Sequence, residues 1–320
     1  MLYKPIHGFL GRAEIKQKLI APLGLILLII VLSFLSPYFF SLENFFVIGR
    51  QTAINLIISL GMTIVILSAG IDLSVGSVCA FAACTMSQVH LIMHVNIWVA
   101  VIMGLMTGAI LGFLNGTIIH FGNVPPFIAT LGMMGIARGG ALIITRGYPT
   151  IGLPEDFQWI GAGDLFGIPF PLILSLSVMG VFFLILKYSR LGRSFFAVGG
   201  NEEAARFSGV RIGTVKIAAY MLCGFCSALA GIVMASRVNS APPASGTGYE
   251  LNAIAAVVIG GTNMFGGEGT LAGTLIGALI MGVISNGLNL LDVNPFWQIL
   301  VIGCVVIFVV LLSTIRHRKR

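Results

Sequence analysis

A chain of 320 residues that is 57% hydrophobic and only 9% charged is too apolar for a soluble domain, whose apolar share is about 45–50%. Its formal net charge of +7 does not indicate nucleic acid, because the cations gather in short segments between apolar runs, the pattern of the positive-inside bias. Nucleic acid is thereby set aside as a partner, and a polytopic membrane protein in contact with lipid remains, with one membrane domain filling nearly the whole chain.

The first 19 residues carry Lys4, Arg12, Lys16 and Lys18 and lead into an apolar stretch without a small-residue cleavage site. They read as a cytoplasmic segment before an uncleaved first span. Apolar runs then predict spans near 20–36, 53–69, 77–95, 97–118, 126–145, 169–187, 215–236, 251–262, 270–290 and 296–314, against the roughly 20 residues that a bilayer crossing takes. The eighth, "LNAIAAVVIGGT", is short, and parity decides how to treat it. The basic N-terminus, the basic loop with Lys187, Arg190, Arg193, Arg206, Arg211 and Lys216, and the tail "RHRKR" should all be cytoplasmic, which requires the eighth run to count. The expectation is an all-α fold of about ten transmembrane helices over 20–314, both termini inside, with a cytoplasmic loop at 188–214 and a basic tail at 315–320. The stretch from Arg146 to Pro169 then lies outside, where Glu155, Asp156 and Asp164 outnumber Arg146.

Within this frame, "GIDLSVGS" (70–77) places Asp72 between two apolar runs, beside Ser74. Two readings stand for Asp72: a cap on the third helix in a cytoplasmic turn, or a carboxylate at membrane depth, which is expensive and marks a functional site. His90 and His94 have an i,i+4 spacing but sit where a span ends, as interfacial histidines do; no metal site is expected. Gly104, Gly108, Gly112 and Gly116 line up on the fourth helix, and Gly269, Gly273 and Gly277 on the ninth, which points to close backbone approach between helices. Arg138 falls in the middle of the fifth span, where it must snorkel, face a cavity or find an acid such as Asp72 or Glu250. Cys223 and Cys226 form a CxxC inside an apolar helix, without the cation or helix start that would activate a thiol, and read as small packing residues.

The stretch "SAPPASGTGYELNAIAAVVIGGT" (240–262) turns from polar to apolar, offering hydroxyls on Ser240, Ser245, Thr247 and Tyr249 and a carboxylate on Glu250 for a docking surface or outer gate, or forming an ordinary external loop. "VILSAGIDLSVGS" (65–77) and "VVIGGTNMFGGEGT" (257–270) form a faint internal echo of the kind found in transporters built from related halves. No GxxxxGK[ST], HExxH or GxSxG occurs, so no nucleotide phosphate cradle or hydrolase nucleophile is encoded. The most polar segment is "AVGGNEEAARFSGVRIGTVK" (197–216). Asn201 is a good N-cap for "EEAARF", Gly209 a good stop, and Glu202, Glu203 and Arg206 suit the helix macrodipole. Two turns of helix are marginal alone, so a partner surface is expected to complete them.

"GIDLSVGS", "PPFIATLG", "RLGRSFFAVGGNEEAARFSGV" and "GTGYELNAIAAVVIGGT" together resemble the permease subunit of ribose-type sugar ABC importers, within the wider branched-chain amino acid and ribose permease group. The resemblance covers essentially the whole chain. It implies a type II importer-like permease fold in a bacterial inner membrane, no enzyme activity and no cofactor on this chain. ATP and Mg would be held by a separate ABC ATPase subunit, a periplasmic sugar-binding protein would deliver a monosaccharide, and a second permease subunit, as a homodimer, would complete the path. It also implies that Gly200, Asn201, Glu202, Glu203, Ala204, Ala205, Arg206 and Gly209 form the helix that docks on the ATPase. "EAARFSG" matches the EAAxxxG core of the importer signature, although the downstream Ile-x-Leu-Pro is missing. Asp72, Ser74, Arg138, Glu250 and Asn252 stand as translocation or gate candidates. The alternatives are a permease for another small solute (an amino acid or a furanosyl signal molecule) and an ion-coupled secondary transporter.

Overall fold

The computed structural model describes residues 12–318; the expected 1–19 segment and 315–320 tail lie partly outside them, with Lys4, Lys319 and Arg320. In chain order the helices are α1 (Arg12–Leu35), α2 (Leu42–Leu67), α3 (Val75–Met93), α4 (Ile97–Phe121), α5 (Pro126–Thr145), α6 (Glu155–Ala162), α7 (Phe170–Tyr188), α8 (Arg190–Gly200), α9 (Glu202–Phe207), α10 (Ile212–Val238), α11 (Tyr249–Ile259), α12 (Leu271–Leu290) and α13 (Pro295–Arg318). The chain is an all-α polytopic membrane protein. Among the described residues α2, α3, α4, α5, α7, α10 and α12 are long and apolar enough to cross a membrane. Each predicted apolar run lies in a helix, and the eighth is the short α11, 11 residues long.

Two departures from the predicted elements have local causes. Helix α2 begins at Leu42 because Ser41 caps it, accepting from the Asn44 N–H at 3.2 Å. Glu43, Asn44, Arg50 and Gln51 mask this start in hydropathy, yet Asn44 is buried and receives a 2.7 Å bond from Asn286 Nδ2 of α12. Arg50 reaches Asp164 in the loop before α7 at 2.7 Å. Helix α8 lies in the segment expected as a cytoplasmic loop, and it carries Gly192, Gly199 and Gly200. Gly192 sits against the backbone of Ile185 and Leu186, and Gly199 against the Leu67 carbonyl, where a side chain has no room.

The core is built around α10, which packs on α2, α3, α4 and the short helix α6. The glycine row of α4 meets it directly. A Cβ on Gly116 would lie 2.5 Å from Ile217 Cα, one on Gly108 2.5 Å from Ala228 Cβ, and one on Gly112 2.8 Å from the Tyr220 carbonyl carbon. Gly224 answers from α10 by lying against Gly108, while Gly231 lies against Cys79 of α3. The second glycine row works similarly, with Gly277 against Ala256 and Gly273 against Gly260, joining α12 to α11. Cys223 and Cys226 are buried with free thiols and face Gly61 of α2, in keeping with their reading as small packing residues.

Two helices start inside the bundle instead of at its edge. After α2, residues 68–74 turn back so that Gly70 lies against the Tyr220 hydroxyl and Cys223 neighbours Asp72; both partners belong to the interior stretch of α10. After α10, the Pro/Gly-rich segment 239–248 likewise folds inward before α11. The two breaks meet where Gly76, in the first turn of α3, contacts Gly246 backbone to backbone. The echoing segments 65–77 and 257–270 also touch, as the Gly267 N–H donates to the Leu67 carbonyl at 3.0 Å.

Candidate coupling and translocation sites

The segment between α7 and α10 is a folded unit. Ser189 caps α8, its hydroxyl accepting from the Gly192 N–H at 2.9 Å. Phe195 and Val198 on one face of α8 are buried, and its penultimate residue, Gly199, lies on the end of α2. Asn201 is extended (φ −161°, ψ 107°), and its side-chain oxygen accepts from the Ala204 N–H at 2.9 Å, the expected N-cap of α9. At the other end Gly209 has φ +84°; its N–H donates to the Arg206 carbonyl and that of Val210 to the Ala205 carbonyl, each at 3.0 Å. This paired closure needs a left-handed residue, which glycine supplies without strain.

The side chains of α9 divide sharply. Ala205 is buried, and Glu202 is engaged within the chain, with Lys216 of α10 at 2.7 Å and Arg206 at 3.7 Å. Glu203, Ala204 and Arg206 face outward, and Phe207 is 90% exposed. Sequence reasoning passed over Phe207. The available signal was a large aromatic on a short polar helix with no apolar run to bury it.

The second group of candidates meets at the two helix breaks. Asp72 is 1% exposed; its Oδ1 accepts from the Ser74 N–H at 2.9 Å and the Ser74 hydroxyl at 2.6 Å. Asn115 of α4 donates to the Ser74 hydroxyl oxygen at 3.1 Å, a partner that sequence spacing had no means of indicating. Asp72 is therefore not in a solvated turn. It shapes the turn into α3 from a buried position, combining features of both readings. Asp72→Asn keeps the shape but replaces a charge-assisted bond with a neutral one, worth about 1 kcal/mol less. A several-fold loss of transport is expected with normal membrane insertion, checked by uptake normalised to membrane protein; full activity would reduce Asp72 to a dispensable cap.

Arg138 is partnered by neither acid. It donates to the carbonyls of Pro243 and Ser245, the latter at 2.9 Å, and approaches Thr247 Oγ1 at 3.4 Å. One guanidinium thus holds the inward-folded 243–247 segment to α5, which is how a mid-span arginine is satisfied without a counter-ion. Glu250 accepts from the Gly248 N–H at 3.2 Å, at the start of its own helix. Asn252 lies one turn into α11 with its Oδ1 buried and unbonded. Arg138→Met should release the segment, since a bond from a charged donor contributes about 1.5–3 kcal/mol. Faster protease cleavage or cysteine labelling within 243–247 would report it, and unchanged accessibility would refute the anchoring role. His90 Nδ1 lies 2.8 Å from the Val95 carbonyl oxygen and closes the α3–α4 turn. Among the described residues no three His, Cys, Asp or Glu side chains gather around a possible metal.

Comparison with known proteins adds an independent line. The sequence model of the family described as "Branched-chain amino acid transport system / permease component" matches residues 44–310. The ribose import permease protein of Escherichia coli K12 is 46% identical over 299 residues, covering 91% of this chain and 92% of its own. That of Bacillus subtilis 168 is 45% identical over 301 residues, with 93% of each chain covered. The L-arabinose transport system permease protein of Escherichia coli K12 is 35% identical, covering 89% of this chain and 86% of its own. No solved structure matches.

Proposed function

Because the chain belongs to the branched-chain amino acid transport system permease component family, we propose that it carries a monosaccharide of the ribose type inward across a bacterial inner membrane, as the permease subunit of an ABC importer. It is a multi-pass membrane component of translocation. The proposal assigns ATP hydrolysis to a separate ATPase subunit, delivery of the sugar to a periplasmic binding protein, and completion of the path to a second copy of this chain. The topology proposed is ten spans with both ends in the cytoplasm.

The observation that carries the coupling role is the division of α9: capped and pinned from within through Asn201, Ala205, Glu202 and Gly209, yet bare on the face of Glu203, Arg206 and Phe207. Such a helix is half of an interface. A push on it passes through α8 to the end of α2 and to the 263–267 turn, because Gly199 and Gly267 both meet the Leu67 carbonyl. Those contacts lead to the break before α3 and the turn before α12, so closure of the ATPases would reach the centre of the bundle and change the side to which the path opens. Gly200, at the joint between α8 and α9, lies backbone to backbone against Gly267, while a side chain added to it would meet open space. The homodimer is supported by α5, whose Gly132, Gly135 and Gly139 face open space and would admit a second helix closely.

Names of relatives favour a sugar, and Asp72 and Glu250 are each engaged in local backbone bonds, which weakens an ion-coupled alternative. Reconstitution decides. Uptake should require the ATPase and ATP, and ATPase stimulation by binding protein loaded with a panel of pentoses, hexoses and amino acids should peak with ribose. Uptake by this chain alone would overturn the reading; stimulation by an amino acid alone would move it to another solute.

A further inference from the structure

We propose that the cytoplasmic end of α4 and α10 holds a binding site for the headgroup of an anionic phospholipid, beside the coupling helix. The site is a pocket of about 350 Å³ whose lining includes His120 and Phe121 from the end of α4, Arg206 from α9, and Arg211, Gly213 and Ile217 at the start of α10. Its charge is cationic. Among the described residues Arg211 makes no ion pair, and Arg206 has only the distant Glu202 at 3.7 Å, whose other oxygen is held by Lys216. The remaining acid of this segment, Glu203, is exposed on α9. His120 packs over Gly213 and edge-on to Phe121, with ring centroids 4.8 Å apart. A phosphodiester needs positive donors of this kind, and basic pockets between helices at the cytoplasmic side suit anionic headgroups.

What selects a lipid over a free anion is the surface above the pocket. Met106, Ile110 and Phe113 are exposed along α4 on the flank beside its glycine row, and Met221 and Phe225 along α10. The two helices are in backbone contact through the α4 glycine row, so these flanks form adjoining apolar strips leading from the pocket along the membrane-crossing helices. A headgroup in the pocket would lay its acyl chains there. The occupant would also fasten the first turn of α10 to α9, giving lipid composition a hold on the coupling helix. The proposal does not depend on which solute is carried.

The test is native mass spectrometry of the full chain purified in mild detergent and titrated with phosphatidylglycerol or phosphatidylcholine. One phosphatidylglycerol should be retained in preference to phosphatidylcholine. R206Q/R211Q should weaken that retention roughly 30-fold, on the scale of about 1 kcal/mol per basic residue at a membrane surface, while R146Q at the far end of α5 should not. If the double variant fails to purify, R211Q alone should weaken retention roughly fivefold and R211K should restore it. Undiminished retention in these variants, or no preference for phosphatidylglycerol, would overturn the proposal. Displacement of the lipid by millimolar inorganic phosphate would assign the pocket to a free anion instead.

Discussion

Gly112→Val should leave little of the chain extractable from membranes as a single, monodisperse species. A Cβ at this position would lie 2.8 Å from the carbonyl carbon of Tyr220 and 2.9 Å from Met221 Cα, so the obstacle is backbone, which cannot rotate away as a side chain would. Overpacking costs typically 1–3 kcal/mol and sometimes more; valine here should exceed the upper value, because α4 and α10 must separate along their whole contact to admit it. Tyr220 is also displaced, and with it the hydroxyl that reaches the Ile71 carbonyl at 3.3 Å beside Asp72. Size-exclusion chromatography after heating would show the loss as a lower aggregation temperature. A matching valine at Gly180 of α7, which has nothing within contact distance, should leave this behaviour unchanged. Equal behaviour of the two variants would refute the assignment of the α4 row to packing.

Replacing Glu203 by Lys, alone or with Phe207→Asp, should separate transport from hydrolysis while leaving the chain folded and inserted. Both side chains are exposed and outside the contacts that hold α9, so folding stability should change by less than about 0.5 kcal/mol, as for ordinary surface sites. An aromatic knob at an interface centre contributes about 2 kcal/mol or more, so ATPase affinity should fall at least about 30-fold for the double variant. Co-purification of the ATPase and ATP-dependent uptake measure it, and retained uptake with both substitutions would remove α9 from the coupling path. Glu202→Lys is expected to behave differently: it breaks the pair with Lys216 and should loosen α9 itself.

How far the sequence led differs by element. The long apolar helices were legible because apolar runs long enough for a bilayer have few other uses, and α9 because Asn201 and Gly209 bracket it with side chains suited to its two ends. Helix α8 was not legible, since its glycines are explained only by backbone from α2 and α7, which sequence leaves at unknown distance. The depth of Asp72 was hidden for the same reason: a turn bounded by Leu67 and Val75 reads alike at a membrane surface and inside a bundle. Among the described residues no acid stands opposite Arg138 because its partners are carbonyl groups, which every residue carries and no composition reveals. Phe207 was passed over because, in a chain this apolar, one more phenylalanine attracts no notice until its surroundings are seen to be empty.

The glycine rows carry a consequence for how such a machine can move. Helices in contact through side chains can slide by exchanging rotamers, but α4 and α10 touch through main-chain atoms over several turns, and sliding there would mean collision at every step. They form a rigid frame, to which α2 and α3 are joined. A change in which side is open would then leave this seam intact and shift the parts around it: the inward-folded breaks before α3 and α11, with α5, tied to the 243–247 segment by Arg138, and α7, whose surface is mostly unburied. The same small residues that let the bundle close tightly should also hold α4 and α10 together through any stroke, so that a push arriving at the end of α2 would turn the bundle about this spine without parting it.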